Sequence, residues 1–175
     1  MLRTREPGGA PGAEVLRSML LGGEVEWSPA AEVHLHFAAR AEHLERTILP
    51  ALAAGNVVVC DRFADSTMAY QGYGLGADRA LIAGLTRLLP VQPDVTVLLT
   101  VRPETGAARV AARTRAALGR LDRYERLDAA FHGRVAEGYA ALAAAEPGRF
   151  LLIAGDDGVE VVASLVWDAV RERLA

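Results

Sequence analysis

Asp61 and Arg62 close the apolar run Val57-Val58-Val59-Cys60, and that junction is where the chemistry of this chain begins. An acid at the carboxyl end of such a strand can hold magnesium, directly or through water, in phosphate-binding α/β proteins. Open α/β sheets also bind ligands beyond the carboxyl ends of their strands. Taken alone, the pattern is more often an aspartate that caps the next turn. A second arginine, Arg40, ends the series Glu32, His36, Arg40 at helical spacing i, i+4, i+8. Val33, Phe37, Leu44, Ile48 and Leu52 fall on the other side of that helix and should face a core. Periodicity by itself reads the polar series as a solvated Glu–His–Arg ladder. A planar guanidinium is equally suited to gripping phosphate oxygens in pairs.

Five arginines, at 113, 115, 120, 123 and 126, crowd the stretch 113–128. They form either an exposed helix or a lid whose cation neutralises charge on a transferring phosphoryl group. Other candidates are weaker. Gly72-Tyr73-Gly74-Leu75-Gly76 lacks the strand and spacing of a dinucleotide fingerprint and reads as a flexible loop. Cys60 reads as a small core residue at a buried strand end rather than a nucleophile. His34, His43 and His132 show no metal-ligand spacing, and Gly155-Asp156-Asp157-Gly158 reads as a turn and helix cap.

The elements that must position these groups alternate. Strands are predicted at Met1–Arg5, Asn56–Cys60, Asp94–Val101 and Arg149–Ile153. Helices are predicted at 11–22, 28–54, 78–89, 103–118, 127–146 and 157–174, with Ser28-Pro29 as a cap and first-turn pair. Strands separated by helices point to a parallel sheet covered on both faces. Val57–Cys60 and Val95–Leu99 are apolar enough to be its central strands. The chain of 175 residues reads as one domain. Its net charge of −3 gives no basic footprint for a nucleic-acid polymer. A lone cysteine excludes an internal disulfide, and no apolar run reaches a membrane span. The cytoplasm is the expected compartment. All nineteen basic residues counted as Lys or Arg are arginine, a bias we attribute to genomic base composition.

Four motifs occur in a telling order: Thr4-Arg5-Glu6-Pro7-Gly8-Gly9, Phe37-Ala38-Ala39-Arg40, Asp61-Arg62-Phe63-Ala64-Asp65-Ser66-Thr67-Met68-Ala69-Tyr70-Gln71-Gly72, and Leu121-Asp122-Arg123-Tyr124-Glu125. Together they resemble the bacterial thymidylate kinases, along the whole chain. The resemblance implies a three-layer, P-loop NTPase-like α/β fold with a parallel sheet flanked by helices. It implies transfer of the γ-phosphate of ATP to dTMP with Mg²⁺, in a homodimer that binds these nucleotides. By position, Arg40 and Arg62 would clamp the dTMP phosphate. Arg5 and Glu6 would lie by the transferred phosphate and magnesium, with Asp61 and Glu6 reaching the metal, through water. Ser66, Thr67 and Gln71 match positions that read the thymine edge, and Tyr70 an aromatic beside the deoxyribose. Arg113 and Arg123 are the best matches for the lid arginine. This chain departs from the family at His36, where a phenylalanine usually stacks on thymine, and at Thr100, where an aspartate is common. About five residues, Thr114–Leu118, look inserted in the lid. A neutral His36 ring could still stack, with a charge change expected at pH 6–7.

A P-loop needs a lysine on the transferring phosphate, and this sequence contains none. In the resembled family the first strand, phosphate loop and first helix precede the Thr-Arg-Glu-Pro motif, and nothing here matches them. The expectation is a start chosen inside a longer protein, or a module that keeps dTMP recognition without turnover. A kinase for another nucleoside monophosphate is the remaining alternative.

Overall fold

The computed structural model describes residues 1–23, 25–116 and 123–174. They form two compact units, residues 1–90 with 122–139, and residues 91–121 with 140–175, where the sequence reading foresees one domain.

In the first unit, β1 (Leu2–Arg5) pairs in parallel with β2 (Val58–Asp61), the register running from Leu2 opposite Val58 to Arg5 opposite Asp61. That register sets the two candidate loops, after Arg5 and after Asp61, side by side. Helix α1 (Pro11–Leu21) starts on a proline, whose missing N–H is harmless at a helix start. Helix α2 (Pro29–His43) is capped by Ser28, whose side chain accepts from Ala31 N at 3.3 Å. It continues through a π-helical turn (Leu44–Ile48) into α3 (Leu49–Ala53). Pro50 lacks the N–H that a regular α-turn would donate, which fits a widened turn just before it. Helices α1 and α2 meet through the small residues Ala10, Ala13 and Ala39.

After β2 the chain forms α4 (Ala64–Thr67) and a π-helical run (Met68–Gly74), then α5 (Arg79–Arg87), capped by Asp78. A 3₁₀ turn (Tyr124–Arg126) leads to α7 (Ala129–Ala145); α6 (Pro103–Ala116) belongs to the second unit. Two apolar clusters hold the first unit together. One joins Val33, Phe37, Ala77 and Ile82, the other Ala69, Tyr124, Phe131 and Val135.

In the second unit β3 (Thr96–Thr100) pairs in parallel with β4 (Phe150–Ala154), and α8 (Val159–Leu174) follows. Arg149 ties the start of this sheet, donating to Thr96 Oγ1 at 2.7 Å and pairing with Glu146 at 2.9 Å. In the loop after β4, Asp156 accepts the backbone N–H of Arg102 at 3.0 Å, which with the Thr105 hydroxyl holds its carboxyl below the usual range.

The parallel α/β character is as the sequence implies, but the readings of Leu52 and of the glycine run are corrected. The strands form two two-stranded parallel sheets, and Val57, Val59 and Leu99 are half or more exposed. A strand with one neighbour keeps a free edge, and its apolar run stays partly in water. Leu52 is also exposed, unlike the rest of its predicted stripe. Gly72 and Gly74 are not in a flexible loop: both are buried within the π-helical run. A Cβ on Gly74 would stand 2.5 Å from a Phe131 ring carbon, so glycine is what lets these helices approach.

Candidate active site

The site grows from the end of β1. Glu6 is buried, and both its oxygens are taken: Oε2 accepts Arg40 Nε at 2.8 Å, and Oε1 accepts His43 Nδ1 at 3.1 Å. The other nitrogen of His43 meets Thr4 Oγ1 at 2.7 Å. Gly8 and Gly9 have φ of 129° and 84°, which folds the loop back over this group. A side chain on Gly9 would overlap the His43 ring and the Thr4 hydroxyl. Arg40, 2 % exposed, lies between the rings of Phe37 and Phe63 and donates through Nη2 to Thr67 Oγ1 at 3.1 Å. Its Nη1 is buried with no hydrogen-bond partner among the described residues. Leaving such a donor unmade costs about 1–3 kcal/mol, more on a charged group, unless a ligand supplies the acceptor.

Arg62 follows β2 with φ of 67°, a left-handed conformation that a non-glycine residue adopts at a cost of order 1–3 kcal/mol. The turn aims the chain so that Arg62 stacks on Tyr70, 4.8 Å from its centroid, and donates to the Tyr70 hydroxyl at 3.2 Å. Asp61, beside it, is exposed at the strand end. Cys60 donates to Arg62 O at 3.1 Å, and burial with the carboxylates of Glu6 and Asp61 pushes its thiol up to about 12, so it is inert as a nucleophile.

One face of α4 and the π-helical run carries the predicted base-reading residues. Ser66 Oγ meets Tyr139 OH at 2.7 Å, and Tyr70 packs edge-on against Tyr124, Phe131 and Tyr139. Gln71, 1 % exposed, donates to Tyr124 OH at 3.0 Å and to Glu32 Oε2 at 3.3 Å. Glu32 is fully buried and also receives the Tyr124 hydroxyl at 3.0 Å and the guanidinium of Arg123. The solvated ladder is therefore corrected: Glu32 and Arg40 point into the protein, each neutralised by a partner from elsewhere in the chain. His36 Nε2 meets Tyr124 OH at 3.2 Å. Burial, then the nearby Arg40 and Arg62 cations, lower the His36 pKa to about 3. The expected charge change at pH 6–7 is thus overturned, and the ring is neutral at physiological pH.

The structure brings together Glu6, Arg40 and Thr67, and separately His36, Gln71 and Arg123 around Tyr124. It places Arg5 on Glu14 of α1, at 3.0 and 3.1 Å, and Arg123 on Glu32. Arg113 lies in α6, but its side chain, like residues 117–122, lies outside the described residues. Glu6, expected near magnesium, accepts Arg40 and His43 through its two oxygens, whereas Asp61 is exposed at the end of β2. Glu32, His43 and Tyr124 were not singled out as site residues. Glu32 offered a usable signal, lying two helical turns before Arg40 on the same face.

The thymidylate kinase family profile matches residues 1–166. A thymidylate kinase of Gluconobacter oxydans is 45% identical, covering 99% of this chain and 81% of that protein. One from a Synechococcus strain is 48% identical, also over 99% and 81%. The crystal structure of thymidylate kinase from Ehrlichia chaffeensis superposes with a TM-score of 0.75 at 30% identity, covering 97% of this chain and 79% of that one. With the clamp-like arginines and the buried polar cluster lying in the matched region, the chain belongs to the thymidylate kinase family.

Proposed function

We propose that this chain binds dTMP as the phosphoryl acceptor in the reaction ATP + dTMP → ADP + dTDP. The observation that carries the reading is the buried, unpartnered Nη1 of Arg40. A buried cation whose Nε and Nη2 already donate to Glu6 and Thr67 keeps one nitrogen, Nη1, with both its N–H groups to offer, and a phosphate oxygen is a matching acceptor. Arg62, held in a strained turn and stacked on Tyr70, supplies the second guanidinium. The Arg40 and Arg62 cations both lower the basicity of His36, which supports a base side close to the arginine pair.

In the transfer, an oxygen of the dTMP phosphate attacks the γ-phosphorus in line. The new P–O bond forms as the bond to the β-phosphate oxygen breaks, and ADP leaves with that electron pair. Arg40 and Arg62 hold the attacking phosphate and reduce its repulsion from the donor. Magnesium, when bound, neutralises charge on the donor phosphates, and Asp61 suits it because this ion keeps most of its waters and takes one or two carboxylates. The reading includes a homodimer and a cytoplasmic location; no helix among the described residues is long and apolar enough to cross a membrane.

Calorimetric titration of dTMP tests the clamp. Arg40→Ala and Arg62→Ala should each weaken binding by about 1.5–3 kcal/mol, the range for hydrogen bonds to charged groups. Arg87→Ala, at an exposed position of α5, should leave it unchanged. Equal losses at Arg62 and Arg87 would show that the phosphate is held elsewhere.

A further inference from the structure

Glu32 carries no role in the reading so far, yet it is a fully buried carboxylate at the meeting point of three elements. It receives Arg123 and Tyr124 from the 3₁₀ turn before α7 and Gln71 from the π-helical run, while His36 sits one turn along its own helix. A carboxylate only accepts. The Tyr124 proton must therefore run to Glu32 Oε2, which leaves the Tyr124 oxygen as an acceptor. Gln71 fills that role with one N–H, at 3.0 Å, and gives its other N–H to Glu32. His36 Nε2, 3.2 Å from the same oxygen, can then only be the protonated nitrogen. With these hydrogens directed to Tyr124 and Glu32, the remaining polar atoms of Gln71 and His36 are acceptors: the amide oxygen of Gln71 and the bare Nδ1 of His36.

We propose that Glu32 is a positioning residue for base selection. Its buried charge fixes the hydrogen-bond direction of Tyr124, Gln71 and His36, so that the site presents acceptors to an N–H on the base. It also docks residues 123–126 onto α2 through Arg123. This rests on the dTMP reading and deepens it. A thymine ring carries an N–H at N3 where cytosine carries a lone pair, so a site made of acceptors favours the first and is left mismatched by the second. The depressed basicity of His36 agrees with this polarity, since a neutral ring keeps one nitrogen bare.

Two measurements test the inference, one of them needing no nucleotide. Side-chain ¹⁵N shifts of the unmodified protein should show His36 protonated at Nε2 and bare at Nδ1 throughout pH 5–8. Affinities for dTMP and dCMP are then compared in the parent, Glu32→Gln and Glu32→Asp. The neutral amide can reverse the hydrogen-bond direction, so Glu32→Gln should lower the dTMP-over-dCMP ratio by about tenfold or more, one lost hydrogen-bond preference. Glu32→Asp keeps the charge and should retain most of the ratio while weakening both ligands. An Nδ1-protonated His36, or an equal loss for both nucleotides in Glu32→Gln, overturns the inference. If the parent itself fails to bind dTMP, the substrate reading falls instead, and the tautomer result still judges the network on its own.

Discussion

His36 shows how far a residue type can mislead when its surroundings are unknown. A histidine on a polar helical stripe reads as a titratable surface group. In the folded chain it is half-buried, bonded to Tyr124 and close to two guanidinium groups, so its proton affinity drops from the ordinary 6.5 to about 3. The consequence for stability has a definite sign. Between those values the unfolded chain takes up a proton that the folded chain refuses, so stability falls as pH drops below about 6.5. Replacing His36 by Phe removes that term. The urea midpoint of His36→Phe should fall less than that of the parent between pH 7.5 and pH 5, measured by circular dichroism. Identical slopes would show that the imidazole titrates normally. Arg40 and Arg62 were legible at this scale because their motifs carry them. Glu32 and His43 were not, because a buried carboxylate or imidazole is identified by the partners that neutralise it. Those partners lie 37–92 positions away in sequence.

At the scale of elements, the strands and most of the helices were readable within a few residues, since alternation of apolar runs with amphipathic stretches is a local signal. The segment from Ala64 to Gly74 was not. Its two glycines, tyrosine pair and short apolar repeats look like a turn, yet packing winds it into a helix with widened turns. Tertiary contact overrides propensity there: Gly74 faces Phe131 and Val135, and Gly72 faces Ile82 and Met68. That geometry predicts opposite outcomes for two alanine substitutions. Gly74→Ala forces a methyl to within 2.5 Å of Phe131 and should cost about 1–3 kcal/mol by overpacking. Gly84→Ala, in α5, meets only the mobile end of Arg87 at 4.0 Å and should stabilise by up to about 1 kcal/mol through helix propensity. Chemical denaturation of both variants checks the pair; a neutral Gly74→Ala would mean that α7 does not seat against the π-helical run.

For the whole molecule, the decisive fact is compositional. Arginine has replaced lysine at every basic position, and the two cations are not equivalent in phosphoryl transfer. Arginine's planar fork suits a phosphate held in place, which is the role proposed for Arg40 and Arg62. The transferring phosphate of a P-loop enzyme is instead met by the compact ammonium of a lysine within a cradle of backbone N–H groups. The proposed acceptor site is of the first kind, and the sequence contains no lysine that could stand in for it. Recognition of dTMP should therefore depend on the shape of the guanidinium and not on its charge alone. Titration should detect dTMP binding that is weakened in Arg62→Ala, and Arg62→Lys should recover little of the loss, because a compact ammonium cannot grip two phosphate oxygens as a planar fork does. Full binding by Arg62→Lys would refute this, and would mean that charge alone holds the acceptor phosphate.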